Sequence, residues 1–202
     1  MKELILEKGG GHALILIAHP DDETIWLGGT ILRHSEIHWT IFSLCREYDP
    51  DRFPKFLKVC KLYQAKAIIS DLEDEDILTV KKSIPEIKER LNKLLKGKKF
   101  DYLFTHGAKG EYGHFRHLGV HQATEQLIKE KKIKPENVFY FCYQGKNCGD
   151  GSKLSNDFKK AKYILKLTPA ELKQKRKIVN KMYGYGKKSF EYLSCLGEET
   201  FS

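Results

Sequence analysis

Ala13-Leu-Ile-Leu-Ile-Ala18 runs without a break into His19-Pro20-Asp21-Asp22-Glu23. A short, continuous apolar run rich in branched side chains is the pattern of a strand buried on both faces, as in a parallel sheet. A buried helix of the same length is the alternative, and the abrupt His-Pro stop argues against it. Working outward, further apolar runs predict strands over residues 39–44, 67–69, 102–105 and 138–143. Helices are expected between them, over 26–33, 54–64, 83–95 and 118–129; the third carries apolar residues at 84, 87, 91, 94 and 95, which is helical spacing. Alternating strands and helices imply an α/β layer fold with a mostly parallel sheet, and right-handed crossovers put helices on both faces.

The chain has 202 residues, enough for one domain over 1–202 and a sizeable core, since 41% of it is hydrophobic. Its 36 Lys and Arg against 27 Asp and Glu leave a net charge of +9, which raises nucleic acid or an acidic surface as a partner. Most of that charge is local: residues 151–202 carry a net +7. There Thr168-Pro-Ala-Glu171 reads as a capping box opening a helix, with Leu172, Val179, Met182 and Tyr183 as its buried stripe and Gly184 as its stop. Lys173, Lys175, Arg176, Lys177 and Lys181 crowd that helix and read as a solvated face, or more sharply as a surface for an anionic substrate group or an acidic membrane. No zinc-finger or RRM signature supports specific nucleic-acid binding.

No apolar run is long enough to span a membrane, and residues 13–18 are too short for a signal peptide. Five cysteines with no C-x-x-C suggest free thiols and a cytoplasmic location. The acidic run 71–76 and the Gly/Ser/Asn-rich stretch 147–156 read as surface loops.

Open α/β sheets bind ligands beyond the carboxyl ends of their strands. Past the first strand stand His19, Asp21, Asp22 and Glu23; past the fourth stand His106, His114 and His117, then His121. Zinc takes imidazole nitrogen and carboxylate oxygen, with three protein ligands and a water at catalytic sites, so this set suits it. The spacing does not decide between Asp21 and Asp22, nor among His114, His117 and His121. One of the aspartates would also cap the helix that follows. Trp26, Tyr112 and Tyr143 are large aromatics that could stack on a sugar, or simply belong to the core.

Ala18-His19-Pro20-Asp21-Asp22-Glu23 and Gly110-Glu111-Tyr112-Gly113-His114-Phe115-Arg116-His117 resemble the two motifs of the PIG-L/LmbE-like zinc deacetylases, in that family's order. The resemblance covers residues 10–145. It implies a Rossmann-like three-layer sandwich that removes an N-acetyl group from an N-acetylglucosamine-type sugar or conjugate. It implies His19, Asp22 and His117 as ligands of Zn2+ or another divalent metal, Asp21 as general base, and His114 as general acid or oxyanion-stabilising cation. Arg46 lies where the family places a substrate-binding polar residue; Glu23 and His121 would support the ligands from behind. The family commonly has Pro-Asp between its two histidines, whereas this chain has Phe115-Arg116, which either leaves His114 without the acceptor an Asp would offer or points to an anionic substrate group near Arg116. A sugar- or metal-binding protein without catalysis is the rival reading of the same fold.

Overall fold

The structure is a computed structural model; it describes residues 1–7, 9–75, 77–95, 97–145 and 154–202. The run that opens the sequence forms β2 (His12–Ile17), following a two-residue β1 (Lys2–Glu3). β3 (His38–Ser43), β4 (Lys66–Ile69), β5 (Tyr102–Thr105) and β6 (Asn137–Tyr140) join it in a five-stranded sheet of order β4-β3-β2-β5-β6. Every pairing in that sheet is parallel, with Ile15 opposite Ile41 on one side and Phe104 on the other.

Alternation along β2 divides the core in two. Ala13, Ile15 and Ile17 face a layer built from α1 (Asp22–Arg33), α2 (Arg52–Leu62) and the C-terminal elements. Leu14 and Leu16 face α3 (Val80–Leu95) and α5 (Phe115–Lys129), whose Ile87, Leu91, Val120, Ala123 and Leu127 are fully buried or nearly so. This is the expected α/β sandwich, with helices on both faces of its sheet. Strand order reverses between β2 and β5, and such a switch point opens a crevice at the carboxyl ends of the two strands. Both motifs of the sequence begin there.

Several boundaries shift by up to four residues, α3 and α5 each beginning three residues early, and two of the shifts bear on the site. α1 begins at Asp22, four residues before the first expected helical residue, because Asp21 turns the chain with φ 116° and its carbonyl accepts the Thr24 and Ile25 amides. The expected strand 138–143 is broken after Tyr140. Phe141 still bonds to Thr105, but Cys142 donates to Thr200 and leaves the main sheet. It enters β7 (Tyr143–Gln144), which pairs with β8 (Ser155–Asn156). The intervening residues 146–153 lie outside the described residues, as do most of the expected loop 147–156 and Cys148.

The C-terminal segment supplies β9 (Tyr163–Lys166), α6 (Pro169–Ile178), a π-helical turn (Val179–Tyr183), α7 (Phe190–Leu193) and β10 (Glu198–Phe201). β9 pairs with β1 and β10 in a second sheet. The capping box at Thr168 and Glu171 forms, and Gly184 ends the helical run with φ 91°. Val179 and Tyr183 are buried as expected; Leu172 and Met182 are half-buried.

One expectation fails here. Lys175 is not on a solvated face: it is fully buried, with Nζ 2.7 Å from Glu199 Oε1. Glu199 in turn accepts the Gly29 and Thr30 amides and the Thr30 hydroxyl, so one carboxylate ties α6 and β10 to α1. The approach is close enough that a Cβ on Gly29 would meet Leu167 at 2.2 Å. The cysteines at 45, 60, 142 and 195 are buried thiols, and no described helix is long and apolar enough to cross a membrane.

Candidate active site

The loop after β2 carries His19 to Asp22; the loop after β5 carries His106, a helical turn α4 (Gly110–Gly113) and His114, which opens α5. Together they enclose a cavity of about 170 Å³, whose wall includes His19, Asp21, Asp22, His114, Arg46 and Tyr112.

Three donor atoms meet beside it. His19 Nδ1 lies 3.4 Å from Asp22 Oδ2 and 3.4 Å from His117 Nε2, and His117 Nε2 lies 3.5 Å from Asp22 Oδ2. A tetrahedral zinc with bonds of ~2.1 Å has ligand atoms about 3.4 Å apart, so these three atoms match one face of its shell. The other end of each ligand is already held. His19 Nε2 is 2.9 Å from Asp74 Oδ1, and His117 Nδ1 is 2.6 Å from Glu111 Oε2. Those partners leave His19 Nδ1 and His117 Nε2 as the nitrogens that face a metal, which would displace the second proton of His19 on binding. Asp22 Oδ1 accepts the Trp26 indole N–H at 2.8 Å, which turns Oδ2 inward.

Charge agrees with geometry. Burial opposes a charge on His19, yet Asp22 and Asp74 outweigh it and lift its pKa to about 10. Asp22 is held well below the carboxylate range, despite burial, by the histidines around it, His117 first. The centre of this triangle therefore attracts a cation, and the residues present fit a divalent metal.

Glu111 sits beneath. Its Oε2 accepts N–H from both His117 and His106 and its Oε1 accepts the Gly107 amide; these partners outweigh burial and bring its pKa to about 2. Asp22 and Glu111 pull His106 towards protonation, but the Ala18 amide donates into Nε2 at 3.0 Å and occupies the lone pair, so the ring stays neutral. His106 therefore braces the site and is not a ligand.

Asp21 projects from the N-terminus of α1 without capping it. Its Oδ2 accepts from Arg52 Nη1 at 2.8 Å and from the Tyr185 hydroxyl, leaving Oδ1 without a partner among the described residues. Burial, then Asp22, raise its pKa to about 8 against the pull of Arg52. His114 Nδ1 accepts the Arg116 amide at 3.2 Å, so its proton is on Nε2. Burial, with His117 and His19 nearby, lowers its pKa to about 3. His114 is thus a neutral hydrogen-bond donor, not the cation that was one of its two expected forms.

The remaining expected residues divide. Arg46 and Tyr112 line the cavity. Glu23 is fully buried below it, accepting from the Asp21 amide, Thr24 and Tyr183, and burial raises its pKa to about 7. His121 Nδ1 donates to the His106 carbonyl at 3.0 Å, outside the cavity. Arg116 is also outside: it is fully buried and bonded to Glu73, which contradicts a place beside substrate. Tyr143 is a core residue that donates to the Trp26 carbonyl and does not line the cavity; Trp26 is buried as well but borders it.

Asp74, Arg52, Tyr185, Glu111 and the bracing role of His106 were not foreseen. His106 and Glu111 carried a signal, since they follow a strand at the switch point. The acidic run 71–76 was expected to be solvated; instead Leu72 is buried and Asp74 turns inward to His19 and Arg46. Asp76 lies outside the described residues. Arg52 and Tyr185 carried no signal.

Comparison with known proteins places these motifs. The family model of PIG-L, GlcNAc-PI de-N-acetylase, matches residues 14–128. An uncharacterized protein of Acanthamoeba polyphaga mimivirus is 26% identical over 186 residues, covering 85% of this chain and 75% of its own. Dbv21, the pseudoaglycone deacetylase of the antimicrobial reagent A40926, shares the fold with TM-score 0.63 at 13% identity, over 92% of this chain and 89% of that one. So does the 4-carboxy-2-hydroxymuconate hydratase of Pseudomonas putida KT2440, with TM-score 0.61 at 14% identity, over 92% and 82%.

Proposed function

Because the chain belongs to the PIG-L, GlcNAc-PI de-N-acetylase family, we propose that it is a zinc-dependent hydrolase removing the N-acetyl group from an N-acetylglucosamine-type sugar or sugar conjugate. The observation that carries this reading is the triangle of His19 Nδ1, Asp22 Oδ2 and His117 Nε2, with sides of 3.4, 3.4 and 3.5 Å and each residue fixed from behind. These three residues would hold the metal, which when bound lowers the pKa of water and polarises the acetamide carbonyl.

The chain's own groups do the rest. Asp21 takes the proton of the attacking water on its free Oδ1, while Arg52 and Tyr185 hold Oδ2 and fix the carboxylate's orientation. The water oxygen bonds to the carbonyl carbon. His114 donates its Nε2 hydrogen to the oxygen on which negative charge develops. Asp21 then passes its proton to the sugar nitrogen as the C–N bond breaks, releasing acetate and the free amine. Arg46 and Tyr112, on the cavity wall, would contact the sugar.

The test joins metal analysis with acetate release from N-acetylglucosamine conjugates. Asp21→Asn is expected to lower the rate by about 10²–10⁴-fold while leaving zinc content unchanged. Equal turnover by this variant would remove Asp21 from the mechanism, and a protein that binds no divalent metal would remove the mechanism altogether.

A further inference from the structure

Between His114 and His117 the chain places Arg116, a fully buried guanidinium. It stands over the Phe115 ring at 4.4 Å, and its Nη2 donates to Glu73 Oε2. Nε and Nη1 find no hydrogen-bond partner among the described residues. A buried cation is costly unless paired, so the Glu73 carboxylate is what keeps this arginine in place.

Glu73 also organises its own loop. Its carboxylate accepts the Ile77 amide at 3.2 Å and the Leu78 amide at 2.8 Å, joining the segment after β4 to the start of α3. The next residue is Asp74. Its Oδ1 is 2.9 Å from His19 Nε2, and its Oδ2 accepts two bonds from Arg46, at 3.0 and 2.6 Å. One contact therefore runs from α5 to the acidic loop, and the adjacent residue of that loop runs on to His19.

We propose that Arg116 and Glu73 form an internal latch that holds the 71–75 loop against the site and so positions Asp74 on His19. The latch assigns work to the Phe115-Arg116 pair that stands where the related motif commonly has Pro-Asp. Arg116 is a positioning residue here: it reaches neither the cavity nor a metal-binding atom. The inference rests on the reading of His19 as a metal ligand.

The experiment uses the full chain and two readouts besides activity. Zinc affinity is measured by competition with a chromophoric chelator, and hydrogen exchange is followed over residues 72–79. Glu73→Gln, which removes a partly exposed charge, and Arg116→Met are the single variants; the double variant completes the cycle. Each single change is expected to weaken zinc binding by about tenfold, the low end of what losing a ligand's hydrogen-bonded support costs. Each should also speed exchange at Ile77 and Leu78. The double variant should be no worse than the worse single one. Unchanged zinc affinity in a folded Glu73→Gln protein, or effects that multiply in the double variant, would overturn the latch. A parent protein that binds no zinc would sink the hydrolase reading instead; exchange over 72–79 would then uphold the latch if it rises in both single variants and overturn it if it does not.

Discussion

The cavity has two walls of different origin. One is made by residues 19–22 and 106–117, each a few positions beyond its own strand. The other includes Tyr185, together with Arg52 from the start of α2, and Tyr183 stands beneath it on Glu23. The first wall is placed by the sheet: once β2 and β5 pair, His19 and His106 have little freedom left. The second is placed by folding the C-terminal segment back over α1, and it depends on contacts made far along the chain.

The largest effect should come from breaking what seats that second wall. Lys175→Met leaves Glu199 buried without its counterion, and such changes cost about 3–5 kcal/mol. Urea unfolding checks this. A loss below about 1 kcal/mol would mean that the C-terminal segment is only loosely joined to the sheet. On the first wall, Glu111→Gln replaces one acceptor oxygen with an amide N–H facing a histidine N–H. Zinc affinity should fall about 10–100-fold, measured by chelator competition; an unchanged value would show that the sheet alone fixes His117.

What was legible in the sequence follows the same division. The strands, the two motifs and the capping box at Thr168 are local patterns, and each formed, although the last strand stops at Tyr140. The inward turn of Asp74 was hidden because an acidic run has the composition of a solvated loop; only the fold supplies its histidine and arginine. Lys175 was misread for the same reason: its helix is basic, and the carboxylate that buries it lies 24 residues further on. Arg116 looked like an anion receptor because its partner, Glu73, is 43 residues away in another loop.

The smallest effect tests a contact away from the cavity, between the last residue of α1 and the first turn of α6. Arg33 bonds to Glu171, and this pairing, reinforced by the Thr168 amide, brings the Glu171 pKa to about 2. A depressed carboxylate stabilises the fold above its unfolded pKa of about 4.5 and loses that contribution as pH falls towards 2. Glu171→Gln keeps the capping-box chemistry and removes the charge. It should therefore cost less than about 1 kcal/mol at pH 7, with the difference from the parent constant down to about pH 5, shrinking below that and all but gone by about pH 2. A difference that persists at pH 2 would assign the effect to the cap.

The backbone marks the site independently of any motif. Among the described residues five that are not glycine have positive φ, and three of them lie at the site: Asp21 at 116° and Arg46 at 77° on the cavity wall, and Glu111 at 57° beneath it. Side chains other than glycine enter this region at a cost of roughly 1–3 kcal/mol each. Glycine would relax all three turns, yet it would delete the proposed base, a cavity-wall cation and the carboxylate that braces two histidines. Each side chain holds its strained turn through partners of its own: Arg52 and Tyr185 for Asp21, Asp74 for Arg46, and His106, His117 and the Gly107 amide for Glu111. Stability and the proposed activity therefore rest on the same bonds at these positions, and glycine there would lose both.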